Sequence, residues 1–404
     1  MKQGNLNSWP YLEIEAMRIA IITENFLPKL DGVTHTLARL LEYLQENQHQ
    51  ALLLGPDSGM EHYAGAEIIG TAGVPLPFYP ELKFNFFRPL FLRRLSEFNP
   101  DIVHLVDPIF LGTAGLAAAK ILKKPVVSSY HTNIPDYCSY FGFPQLTAPM
   151  WSYNRVIHNQ CALTCCPSPS IAKMLQKHGF EHLCIWPRGV DTMLFHPERG
   201  NKELRATWLE GPKRPNETTV LLYVGRISWE KNLRLLTHAY RAMDHEHSHL
   251  VIVGDGPALK EIQQEVADLP VTFTGYLKGE QLASAYASAD IFAFPSTSET
   301  FGQVVLEAMA SGLPVVGVLS EGVCDLVQDE QTGLMLDIQG LSEDEQVQGY
   351  VAHLQRLVHG AKARQAMGHA ALLEARKRSW PEAMDALLRG YHEVIAERSP
   401  LMAA

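Results

Sequence analysis

The sequence predicts an α/β chain of two Rossmann-like halves whose parallel sheets face each other across a cleft. Three observations predict it. Short β-branched runs alternate with segments of helical period along almost the whole length. Those runs are apolar throughout, as strands covered on both faces require. The series is interrupted once, at 187–217, by a stretch rich in Pro, Gly and charge that reads as the junction between the halves.

Taken in order, the first 16 residues, MKQGNLNSWPYLEIEA, form an extension without a basic region followed by an apolar one, which argues against secretion. Strands are expected at 18–23, 51–55, 102–106, 125–130 and 163–168. A second series follows at 219–225, 249–254, 271–275, 290–296 and 313–318. Between the first two strands, Val33, Leu37, Leu40, Leu41 and Leu44 share one face of a helix. No short-period repeat or low-complexity tract appears.

Composition removes several function classes. A chain of 404 residues with 46% hydrophobic and 19% charged residues can bury two domain cores, which excludes wholesale disorder. Lys and Arg number 34 against 44 Asp and Glu, a net charge of −10, so a partner that is nucleic acid is not expected. No run approaches the roughly 18 apolar residues a bilayer demands. Cys138, Cys161, Cys165, Cys166, Cys184 and Cys324 lack CxxC spacing and read as free buried thiols of a reducing compartment, with neither disulfides nor zinc.

Ligands of such sheets bind beyond the carboxyl ends of the strands, so the residues just after each strand carry the information. After 290–296 comes SETFGQVVLEA, in which Glu299 and Glu307 flank a helix start near Gly302. The first free amides there, from Phe301 and Gly302 through Gln303 and Val304, make an anion site needing no side chain. A phosphate on that helix end has a carboxylate on either side, as a sugar–diphosphate–nucleoside requires. The plain alternative is a macrodipole acid and a surface acid.

After 219–225 comes GRISWEK. Gly225 lets the backbone turn, and Arg226 and Lys231 project as cations suited to a diphosphate. The alternative is a salt bridge with Glu230. Asp31-Gly32-Val33-Thr34 follows the first strand, where Gly32 permits close approach to another helix start, or simple capping. This is not GxGxxG, so a nicotinamide enzyme is poorly supported. His131, at the end of 125–130, points into the cleft and can hydrogen-bond a sugar hydroxyl or the reacting centre, unless it is structural.

One further feature reads as bland, and a second is open between two readings. His245, His247 and His249 alternate on one strand face but lead into it from the amino end, so a solvated edge is expected instead of a metal site. Residues 78–95, FYPELKFNFFRPLFLRRL, join six aromatics to Lys83, Arg88, Arg93 and Arg94. They form either a peripheral membrane patch or a packed loop and helix with a solvated rim.

These signals, in this order, resemble the retaining GT-B glycosyltransferases of family 4, over about residues 17–397. Glu299 and Glu307 match the E-x7-E motif, and GRISWEKN, VGDGP, FTGYL and AYASADIFAFPS match further blocks. KPVVSSYHTNIPDY, APMWSYNRVIHNQC and WPRGVDTMLFHP look most like sulfoquinovosyltransferases of the diacylglycerol type. DGVTHTL, YHTN and RGVD are shared with GDP-mannose-dependent α-mannosyltransferases.

The resemblance implies an acceptor domain over 17–193, completed by a crossover helix at about 381–399 with Trp380 at the crossing, and a donor domain over 194–380. It implies retention at the anomeric carbon, no catalytic metal, and no cofactor apart from a nucleoside-diphosphate sugar as donor substrate. Arg226 and Lys231 would hold the diphosphate, Glu307 the ribose, Glu299 the transferred sugar, and His131 the reacting face. Gly32 and the amides near Gly302 would complete the phosphate cradle. The acceptor would be a lipid or another hydroxyl compound, and the location cytoplasmic, peripheral at a membrane if 78–95 is exposed. A nucleotide-sugar epimerase and a non-catalytic nucleotide-sugar binder are the competing classes.

Overall fold

Arg18–Thr23 is buried at every position after Arg18, as a strand flanked on both edges and covered on both faces must be. It is the centre of the first of two units into which contacts divide the chain: Met1–Ser129 with Tyr391–Ala404, and Tyr130–Gly390. The computed structural model describes residues 16–28, 31–76, 79–140, 142–209 and 217–398, and the backbone alone at several positions between 75 and 84.

In the first unit the strands lie in the order Val126–Ser129, Ile102–Val106, Arg18–Thr23, Gln50–Pro56 and Ala66–Thr71, all parallel, with His62–Tyr63 antiparallel at the edge. The expected helix is Gly32–Glu46, and it buries Leu37, Leu40, Leu41 and Leu44. Tyr391, on the last helix Trp380–Arg398, reaches into this unit. Its hydroxyl lies 2.6 Å from His104 Nδ1, while His104 Nε2 meets Ser129 Oγ at 2.8 Å. His104 is fully buried, so these two contacts satisfy an imidazole that desolvation would otherwise penalise.

The second unit holds a six-stranded parallel sheet in the order Val271–Gly275, Ser248–Val253, Thr219–Val224, Ile291–Phe294, Val315–Val318 and Gly333–Leu336. Leu163–Cys166 and Leu183–Ile185 pair in parallel within the same unit. Gly333–Leu336 escapes a reading of the sequence because GLML has no β-branched residue. Buried tyrosines tie helices to the sheet through their hydroxyls: Tyr350, on Glu343–His359, donates to the Val316 carbonyl at 2.9 Å, and Tyr240, on Leu233–Ala242, to that of Pro270 at 3.0 Å.

Two expectations change. The histidine run is no solvated edge, because His249 is buried inside Ser248–Val253 with Nε2 2.8 Å from Thr272 Oγ1. Burial lowers its pKa to about 4, which keeps it neutral. The cysteines are free, but Cys324 is exposed and Cys138 and Cys184 are only half-buried; the short turn Val323–Asp325 buries Val323 and leaves the cysteine on its outer side. Within the stretch 187–217, Arg188, Val190, Phe195 and Trp208 are buried in the second unit. Positions 210–216 lie outside the described residues.

Of the segment 78–95, the side chains of 78–84 lie outside the described residues. The rest is packed in part. Helix Pro89–Phe98 buries Phe91 and Leu95 completely, and Phe87 meets Phe91 edge to face at 5.4 Å. Arg94 pairs with Glu67 and Glu97, and Arg93 with Glu97. Phe86 and Arg88 are exposed. No helix among the described residues is long and apolar enough to cross a membrane.

Candidate active site

Two loops of the second unit are built by backbone contact that only glycine allows. A Cβ on Gly254 would lie 1.9 Å from the Gly225 carbonyl oxygen, so the loops after Thr219–Val224 and Ser248–Val253 touch main chain to main chain. The Ile227 amide then donates to the Asp255 carbonyl at 2.9 Å. Tyr223 fixes the first loop from below, its hydroxyl donating to the Arg226 carbonyl at 3.0 Å. The loop ends in the single turn Trp229–Lys231, which delivers Lys231.

The strand Ile291–Phe294 leads through a polar loop into helix Gln303–Ala310. Gly302 stands at its N-cap with φ +89°, a conformation in which a Cβ is strained, and no side chain caps the helix. The amides of Gln303 and Val304 therefore open the helix without a capping oxygen from the chain, as an anion site requires. Phe301, just ahead, is buried and anchors the turn.

Lys231 and Glu299 meet here. Nζ lies 2.8 Å from Oε1, and the two side chains are only 16% and 18% exposed, so the pair is screened far less than a surface bridge. Ser296 Oγ donates to the same carboxylate oxygen at 2.9 Å. Glu299 also borders a cleft with Asn133, Asp136, Tyr140, Ser298 and Glu321. Burial, and then the nearby Glu321 carboxylate, raise the pKa of Asp136.

Glu307 lies inside the helix, buried, with the Tyr286 hydroxyl donating to Oε2 at 3.1 Å. Burial pushes its pKa up to about 7, against hydrogen bonds from Tyr286 and Gln303 that pull it down. Gln303 Nε2 also donates to the Gly189 carbonyl at 3.0 Å.

His131 belongs to the same unit and the same neighbourhood. Thr300 Oγ1 donates to its carbonyl at 2.5 Å, tying the loop before the helix to the end of the histidine segment. Its Nδ1 lies 2.6 Å from Nη2 of Arg188, a buried cation that motif reading did not single out. The signal was present in RGVD, but a buried arginine is invisible until its partner's place in space is known.

Gly32 is in the first unit, at the start of Gly32–Glu46. Asp31 caps this helix, accepting from the Val33 and Thr34 amides at 3.1 and 2.9 Å. The capping reading of DGVT is therefore realised, and Gly32 keeps an open face where a Cβ would touch nothing. Among the described residues there is no group of three or more His, Cys, Asp or Glu able to hold a metal ion.

Two family models match, and their ranges contain the residues of the site: "Glycosyltransferase Family 4" over residues 30–194 and "Glycosyl transferases group 1" over 205–373. A GDP-mannose-dependent alpha-mannosyltransferase of Corynebacterium glutamicum is 35% identical over 396 residues, covering 96% of this chain and 92% of that one. The chain belongs to glycosyltransferase family 4. This glycosyltransferase is also 34% identical to the sulfoquinovosyl transferase of Arabidopsis thaliana, across 92% of its own length and 73% of the relative's. Sucrose-phosphate synthase of Thermosynechococcus elongatus superposes with a TM-score of 0.74 at 19% identity, covering 94% of this chain and all of that one. That likeness shows the GT-B fold expected from the sequence, two α/β domains with parallel sheets.

Proposed function

We propose that this glycosyltransferase moves a hexose-type sugar, with retention of anomeric configuration, from a nucleoside-diphosphate sugar to a hydroxyl of a lipid acceptor. The observation that carries the reading is the Lys231–Glu299 contact beside the uncapped start of Gln303–Ala310. It brings a cation, a sugar-binding carboxylate and phosphate-binding amides into one place.

In this reading Arg226, Lys231 and the amides of Gln303 and Val304 stabilise charge on the departing diphosphate, as oxyanion donors do elsewhere. The donor displaces Lys231 from Glu299, so the lysine turns to phosphate while the carboxylate accepts hydroxyls of the sugar. Glu307 takes the ribose, Gly32 gives the phosphates close access, and Gly225 sets the turn. His131 stands at the reacting face, and a departing phosphate oxygen accepts the proton of the acceptor hydroxyl. No metal or further cofactor takes part. Exposed Phe86 and Arg88 in 78–95 support a peripheral membrane contact from the cytoplasm.

A second reading changes only the donor, to GDP-mannose. The acidic border of the cleft favours it: Asp136, Glu299 and Glu321 accept hydroxyls of a neutral hexose and repel a sulfonated one. A thermal-shift comparison of UDP-, GDP- and ADP-sugars separates the donors, since bound ligand raises stability by mass action. Release of nucleoside diphosphate only when acceptor is present supports transfer; release without acceptor, or none at all, overturns it.

A further inference from the structure

The contact between Arg188 and His131 has a chemical consequence. A guanidinium carries only donors, so a nitrogen 2.6 Å from Nη2 must offer a lone pair. Both the imidazolium and the Nδ1–H tautomer lack one at that position. His131 Nδ1 is therefore the acceptor, and the ring proton sits on Nε2.

The arrangement is built to hold. Arg188 Nη1 donates to the carbonyls of Trp186 and Pro187 at 2.9 and 3.3 Å, and the guanidinium carbon lies 4.7 Å from the centre of the Trp186 indole. The His131 ring meets the same indole edge to face, with centroids 5.4 Å apart. Arg188, His131 and Trp186 are 6%, 6% and 1% exposed, so neither ring nor fork can swing without opening the core.

We propose that Arg188 is a positioning residue that locks His131 as the neutral Nε2–H tautomer, making it a hydrogen-bond donor to the transferred sugar and not a proton shuttle. The tautomer follows from this chain's own geometry. The sugar as recipient rests on the function proposed above. A fixed donor at the reacting face orients the sugar without taking a proton from the acceptor, which leaves that proton to the departing phosphate.

The test is nitrogen NMR of the full chain labelled at histidine, with His131 assigned by difference against His131→Gln. At neutral pH the wild-type ring is expected to carry its proton on Nε2 alone; a proton on Nδ1 overturns the proposal without any Arg188 variant. Arg188→Met is expected to mix the tautomers and to lower kcat about tenfold or more. Affinity for free GDP or UDP should stay within about twofold, because the diphosphate lies with other residues. Arg188→Lys, again a donor only, should restore the Nε2–H signal and part of kcat, and it serves if the methionine variant fails to fold. An unchanged spectrum in a folded Arg188→Met overturns the positioning role. A mixed spectrum with unchanged kcat leaves the tautomer lock standing and overturns the sugar-facing role of His131. Absence of any nucleotide-sugar binding overturns the function reading, while the wild-type spectrum still decides the tautomer.

Discussion

Lys231 and Glu299, read from the sequence as belonging to different parts of a ligand, hold each other at 2.8 Å. The pairing stores each group in the form its proposed task needs, an ammonium and a carboxylate, in a site where water screens little. It also gives the cation a charged partner that a diphosphate must replace.

Lys231→Ala and Arg226→Ala should each remove about 2–4 kcal/mol of transition-state stabilisation, the scale of one oxyanion donor. Steady-state kcat/KM in each variant checks this. Lys231→Ala should show the larger loss, since it also leaves the half-buried Glu299 without its cation. Wild-type kcat/KM in either would refute the diphosphate role.

The two glutamates should separate by ligand. Glu307→Gln should weaken binding of donor and of free nucleoside diphosphate alike. Glu299→Gln should bind the bare diphosphate at least as well as wild type, since it removes the carboxylate that competes for Lys231, while lowering kcat, because its own partner is the group in transit. Calorimetry with the free diphosphate, beside turnover, reads both; equal losses in the two variants would end the division of labour.

Glu307 also predicts a pH dependence of stability. Its pKa rises from 4.5 to about 7 on folding, so the folded state holds the proton more tightly than the unfolded one. The advantage is complete below the unfolded value and is lost as pH climbs through the folded one. Between about pH 4.5 and 7 the unliganded protein should lose on the order of 3 kcal/mol from this group. Denaturant unfolding at several pH values, wild type against Glu307→Gln, isolates it. The difference between the two should change across that window, and parallel curves would contradict it.

Gly254→Ala should destabilise the second unit by at least about 2 kcal/mol, since the added methyl meets the Gly225 carbonyl at 1.9 Å with φ +140°. Thermal melting measures it. Gly32→Ala, where a Cβ has open space, should leave melting nearly unchanged and reveal its effect only in donor binding.

EDTA should leave turnover intact, and the first-formed glycoside should keep the donor's anomeric configuration by NMR. Strict dependence on a divalent ion would mean the charge on the diphosphate is met by something other than Arg226, Lys231 and helix amides. An inverted product would remove the retaining mechanism.

The sequence by itself determined the parallel α/β architecture, ten of the strands and the places where the chain must turn. It also determined that Glu299 and Glu307 flank the helix opening at Gly302. These are local facts: apolar runs, helical period and the need for glycine at φ +89° are written within a few residues of where they act. Gly333–Leu336 was lost for the same reason, having no local signature. Tertiary structure alone decided that Lys231 reaches Glu299 across 68 positions and Arg188 reaches His131 across 57. It alone buried His249 and exposed Cys324. Such contacts depend on which strand ends the sheet order places side by side and on how deeply each is covered. Desolvation and hydrogen-bond geometry are properties of that arrangement, and no short stretch of sequence contains them.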